Sequence, residues 1–116
     1  MQSPISRLLN SLSSLNLDAM LVSDPANISY LTGLRSRDAW LLVSRKESFY
    51  LTDARYTEEA ALGLHGITLR KIKKPLFEEL ALIAQSKRLA KIGFEEHRVT
   101  WLFHKKLQEK LKNSRS

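Results

Sequence analysis

The chain has 116 residues, 43% hydrophobic and 27% charged, which suits one globular domain able to bury about two-thirds of its extended surface. It contains no cysteine, excluding a disulfide scaffold, a thiolate metal site and a cysteine nucleophile, and fitting a reducing, cytoplasmic compartment. The formal charge of +7 is uneven: six Lys/Arg face seven Asp/Glu through Leu69, and thirteen face five from Arg70 onward. That asymmetry reads either as a surface for an acidic partner or as a solvated face with a basic tail.

Residues 1–16 hold five serines and a single arginine, too few basic residues for a transit peptide, and they lack the apolar stretch of a secretory signal. Ile5, Leu8, Leu9, Leu12 and Leu15 recur instead at helical spacing behind Pro4, which predicts a packed amphipathic helix. Ala19-Met20-Leu21-Val22 is an apolar run suited to a buried strand. Asp24-Pro25 then supplies an N-cap and a first-turn proline, and Gly33 a stop, predicting a helix over 25–32 with Ile28 and Leu31 inward. Ala39–Ser44 and Ser48–Thr52 read as a β-hairpin around Arg45-Lys46-Glu47. Asp53 can cap a helix from Ala54 to about Leu62 ended by Gly63 or Gly66.

The second half repeats the alternation. Ile67–Ile72 reads as a strand whose lysines suit an edge. Pro75 opens a helix with Leu76, Leu80, Ile83 and Ala84 on one face. Lys91–Glu95 holds a short strand, and Thr100 can cap a last helix carrying Phe103, Leu107 and Leu111. The longest apolar runs, Ala39–Val43 and Leu80–Ala84, are far too short to span a bilayer, so no membrane is expected as a partner. The alternation predicts one α/β domain over residues 1–116, a mixed sheet flanked by helices in a three-layer-like arrangement.

Motifs for chemistry are sparse. His65, His97 and His104 are scattered, and Glu95 with His97 would give two ligands where a catalytic ion normally takes at least three. There is no G-x-S-x-G elbow and no glycine-rich phosphate loop. Glu58-Glu59 and Glu78-Glu79 are adjacent on predicted helices, so their side chains diverge and read as solvated faces rather than dyads. Arg70-Lys71-Ile72-Lys73-Lys74 is the best nucleic-acid candidate, but it lacks interleaved aromatics and as a strand would split its charges between two faces. Nucleic acid is therefore not the expected partner. Asp53-Ala54-Arg55-Tyr56 can form a local pair at a strand-to-helix junction. The polar stretch Arg35-Ser36-Arg37-Asp38, between Gly33 and a core strand, is placed to present charge to a ligand or partner.

Three ordered blocks carry a family resemblance. Leu21-Val22-Ser23-Asp24-Pro25-Ala26-Asn27-Ile28-Ser29-Tyr30-Leu31-Thr32-Gly33, Ala39-Trp40-Leu41-Leu42-Val43 and Thr52-Asp53-Ala54-Arg55-Tyr56 resemble the N-terminal domain of Xaa-Pro aminopeptidases and prolidases, with Ile92-Gly93-Phe94-Glu95 similar to its late strand. Ala54 stands where the family often has glycine. The resemblance covers about residues 5–112 and implies a creatinase/prolidase N-terminal domain with a ribonuclease H-like motif. It implies a non-catalytic domain that mediates assembly and walls the active site of a separate pita-bread catalytic domain. That domain would carry two divalent ions, usually manganese, on Asp, Asp, His, Glu and Glu, and cleave the bond before proline. No catalytic or metal-binding residue is expected in these 116 residues, which look like the first part of a longer protein. The implied partners are the catalytic domain, a second copy in a dimer and proline-containing peptides. Arg35 and Arg37, then Asp38 and Tyr30, are the candidates for substrate access or a subunit interface. Asp24, Gly33, Asp53, Arg55 and Tyr56 are the candidates for holding the fold. The alternative is a free-standing interaction module with a basic surface, in which Lys71, Lys73 and Lys74 meet an acidic partner.

Overall fold

A computed structural model of the chain describes residues 4–34, 39–53, 61 and 63–94. The elements in chain order are α1 (Pro4–Leu15), β1 (Ala19–Val22), α2 (Pro25–Thr32), β2 (Ala39–Ser44), β3 (Phe49–Thr52), β4 (Thr68–Lys71), α3 (Leu76–Lys87) and β5 (Ile92–Phe94). The strands form one mixed sheet in the order β4-β3-β2-β1-β5. β2 pairs antiparallel with β1 and β3, while β1–β5 and β3–β4 are parallel. Strands β1, β3, β4 and β5 therefore point the same way, and β2 alone runs against them.

The period of two along each strand divides the core into two layers. Ala19, Leu21, Leu42, Phe49 and Leu51 face α3, where Leu80, Ala81, Ile83 and Ala84 meet them. Val22, Ala39, Leu41, Val43 and Tyr50 face the other way and pack with Ile28 of α2 and Ile5, Leu8 and Leu9 of α1. A sheet covered on both faces needs near-continuous apolar strands, which is why Ala19–Val22 and Ala39–Val43 show no polar alternation. The segment from β4 through α3 crosses behind the whole sheet to reach β5 on the far edge.

Local chemistry sets the boundaries. Asp24 accepts a hydrogen bond from the Ala26 amide at 3.1 Å and caps α2, with Pro25 in the first turn. Gly33 ends α2 with φ 79°, a left-handed conformation open to glycine, and donates its amide to the Ser29 carbonyl at 2.8 Å. At the hairpin, Ser48 Oγ donates to the Ser44 carbonyl and accepts from the Ser44 amide. Ser48 thereby belongs to the turn, and the strand starts one residue later than expected. β5 falls within the expected Lys91–Glu95, and it begins after Lys91, whose amide and carbonyl are both engaged with Asp18.

Two expectations fail. Leu15, expected to share the apolar face of α1, is 62% exposed because α1 ends there and the chain turns away through Asn16, which has φ 58°. Glu79, expected on a solvated face, is buried at 4% exposure. The expected helices from Ala54 and from Thr100 fall on stretches that lie wholly or largely outside the described residues.

Candidate functional site

In an open α/β sheet, ligands gather beyond the carboxyl ends of the parallel strands, where loops rather than ladders meet. Here β1 ends into Ser23-Asp24, β3 into Asp53 and β4 into Ile72-Lys73-Lys74. β2 runs the other way, so Ala39 enters the sheet at this same end. The residues just before it, Arg35, Arg37 and Asp38, lie outside the described residues, as do Arg55 and Tyr56. One edge of the sheet thus collects Asp24, Asp53 and the entry to the Arg35–Asp38 stretch.

The best-anchored corner of that edge was not singled out by sequence reasoning. Glu79, one turn into α3, accepts from Arg70 Nη2 at 3.1 Å and from the Lys73 amide at 2.9 Å. Burial by itself raises its pKa, but the Lys73 amide and the Arg70 guanidinium outweigh it and hold the carboxyl below the ordinary range. Arg70 is thereby tied down, so the basic run at 70–74 is partly structural. The signal was present: Leu76, Glu79, Leu80 and Ile83 share the i, i+3, i+4, i+7 spacing of one helix face.

Thr52 closes the other side of the same edge. It is fully buried, and its hydroxyl has no hydrogen-bond partner among the described residues. Asp53, half-buried, follows it.

Tyr30 lies elsewhere, on the outer side of α2. Its ring is 62% exposed, and its hydroxyl accepts from Arg7 Nη2 at 3.1 Å, bridging α2 to α1. Beneath it a groove of about 330 Å³ is lined by Pro4, Leu8, Met20, Val22, Asn27, Tyr30 and Leu31. The candidate residues therefore divide: Asp24 and Asp53 sit on the carboxyl edge, whereas Tyr30 rims an apolar groove between two helices.

The carboxylates whose bonds are seen here hold backbone amides. Among the described residues no three of His, Asp and Glu come together as candidate metal ligands. The Asp24 carboxylate caps a helix and that of Glu79 holds a loop.

Residues 4–116 match the model of the creatinase/prolidase N-terminal domain. The chain belongs to that family. Among solved structures, this creatinase/prolidase N-terminal domain is similar to an Xaa-Pro aminopeptidase (aminopeptidase P) structure from Streptococcus thermophilus. The two are 26% identical with a TM-score of 0.79, over 97% of this chain and 95% of that one. It is also 31% identical, with a TM-score of 0.80, to the N-terminal domain of the cytoplasmic peptidase PepQ from Mycobacterium tuberculosis, over 93% and 84% of the two chains. Its sequence is 27% identical over 97 residues to an uncharacterized peptidase, YqhT, of Bacillus subtilis. The match takes in 84% of this chain and 28% of that protein, so the chain spans little more than a quarter of the curated relative's length. The chain shares its α/β fold with these two solved structures, and the domain is the N-terminal part of Xaa-Pro peptidase-like proteins. No helix among the described residues is long and apolar enough to cross a membrane.

Proposed function

We propose that residues 1–116 are the non-catalytic N-terminal domain of a proline-specific metallopeptidase, an Xaa-Pro aminopeptidase or dipeptidase, and that this domain assists subunit assembly and shapes substrate access. The family match across residues 4–116 carries the reading. The carboxyl edge of the sheet supports the access role: Asp24 caps α2 just beyond β1, and the Glu79–Arg70 pair ties the end of β4 to α3, at the same end where the chain enters β2 at Ala39. In this reading Arg35 and Arg37 contact peptide or the neighbouring subunit, and Asp38 supports them. The two divalent ions, manganese by family expectation, are held by the catalytic domain, and the assembly is cytoplasmic.

The purified chain incubated with Mn²⁺ and a proline-containing peptide should release no product, and an antibody to it should detect a native species several times heavier than 13.3 kDa. Cleavage by the pure chain would overturn the non-catalytic assignment. A native species of 13.3 kDa without peptidase activity would replace the reading with that of a free-standing interaction module.

A further inference from the structure

The opposite end of the sheet, where β1, β3, β4 and β5 begin, gathers cations from three segments far apart in sequence. Arg45 and Lys46 form the β2–β3 turn, Lys87 and Arg88 close α3, and Lys91 precedes β5. The segments are joined directly. Lys46 Nζ donates to the Lys87 carbonyl at 2.6 Å, and Asp18 Oδ2 accepts from the Ala90 and Lys91 amides at 2.8 and 2.9 Å. Among the described residues two carboxylates share this end. Asp18 holds those two amides, while Glu47 pairs with Lys87 at 2.8 Å and accepts from the Thr68 hydroxyl. Among the described residues five cations (Arg45, Lys46, Lys87, Arg88 and Lys91) stand at this end against these two carboxylates; Lys46 and Lys91 act on Asp18 through space, and Arg45 donates to the Ser13 hydroxyl.

Between these cations lies a cleft of about 120 Å³ lined by Leu17, Asp18, Ser44, Arg45, Lys46 and Leu89. Its lining is mixed: two leucines offer apolar surface, Ser44, Arg45 and Lys46 offer donors, and the one carboxylate, Asp18, is turned to the Ala90 and Lys91 amides. That combination suits a side chain with a short apolar stem and an anionic tip. A phosphodiester has no such stem, and no aromatic residue lines the cleft for a base to stack on.

We propose that this end of the domain binds an acidic peptide segment. One glutamate side chain enters the cleft, its methylenes against Leu17 and Leu89 and its carboxylate at Arg45 and Lys46, and flanking acids face Arg88 and Lys91. The site is at the sheet end remote from Asp24 and Asp53, so it stands or falls independently of the peptidase reading. It also relocates the basic surface from Lys71, Lys73 and Lys74, the residues that the charge distribution along the chain singles out.

The test is fluorescence anisotropy of a labelled oligoglutamate peptide with the full chain at low and at near-physiological salt. Saturable binding that weakens with salt is expected, and Arg45→Gln with Lys46→Gln should lower affinity about tenfold. The pair Arg88→Gln and Lys91→Gln leaves the Lys46–Lys87 contact intact and serves if the first variant loses its circular dichroism signal; it too should weaken binding. Lys71→Gln with Lys74→Gln removes the same charge from the other end and should leave affinity unchanged. No binding at low salt, or equal loss from both ends, overturns the proposal. So does tighter binding of an oligonucleotide of matched charge, which would make this a phosphate-backbone surface instead.

Discussion

Glu79 shows how much one side chain can organise. Its carboxylate holds the Lys73 amide and the Arg70 guanidinium, linking the end of edge strand β4 to the first turn of α3. An acidic residue in that turn also interacts favourably with the helix dipole. Removing the carboxylate leaves the Lys73 amide and a two-thirds-buried guanidinium without their acceptor. Glu79→Ala should therefore destabilise the domain by about 2–3 kcal/mol in urea unfolding, the cost of breaking a buried pair discounted for the exposed part of Arg70. Glu78→Ala, which removes an acid from the same turn and keeps both Glu79 bonds, should cost less. Equal effects would show that helix charge, not the bonded corner, matters. The spacing of Leu76, Glu79, Leu80 and Ile83 put Glu79 on the inner face. A glutamate is read as solvated only until a partner is known, and the partner, Arg70, lies on a different element.

At the scale of elements, the boundaries follow from local chemistry, and so they were legible. Asp24-Pro25 starts α2 and Gly33 stops it because capping needs one acceptor at the start and a left-handed residue at the end. α3 ends differently: Arg88 takes the left-handed conformation at φ 56° with a Cβ in place. Two opposite outcomes follow. Arg88→Gly should raise stability by about 0.5–1 kcal/mol by relieving that conformation, whereas Gly33→Ala should lower it by about 1 kcal/mol by imposing it. Thermal unfolding of the two variants checks both signs; a loss in Arg88→Gly would mean the arginine charge at the helix end outweighs its backbone strain. The strands were legible for a similar reason. Ala19–Val22 and Ala39–Val43 are apolar on both faces, which only a sheet covered on both sides tolerates. Leu15 was misjudged because periodicity places it on the inner face, whereas it is the last residue of α1, where the chain turns away through Asn16.

For the molecule as a whole, acid is the sharpest probe. Asp18, Glu47 and Glu79 all have carboxyl groups held below the ordinary range: Asp18 chiefly by the Lys91 amide, Glu47 by Lys87, and Glu79 by the Lys73 amide and Arg70 against the opposing effect of burial. The folded state therefore binds these protons less readily than the unfolded chain. Their stabilisation is complete above the ordinary carboxylate pKa of about 4 and fades as pH falls through the lower folded values. Urea midpoints should be flat from neutral pH to about pH 5 and fall below it, and Glu79→Gln should flatten the acid limb. An unchanged acid limb in that variant would assign acid sensitivity to other groups.

What the sequence determined by itself was the described elements, their order and the family, because caps, turn residues and apolar runs act over a few neighbours. The blocks from Leu21 to Gly33 and from Thr52 to Tyr56 carry that information locally. What only the tertiary structure decided was company: that Glu79 meets Arg70, that Tyr30 leans on Arg7 over an apolar groove, and that Arg45, Lys46, Arg88 and Lys91 share one end of the sheet. These residues are brought together by strand order and by the crossover of α3 behind the sheet. Sheet pairing and helix crossover join segments dozens of residues apart, and no local pattern encodes which charges will then be neighbours.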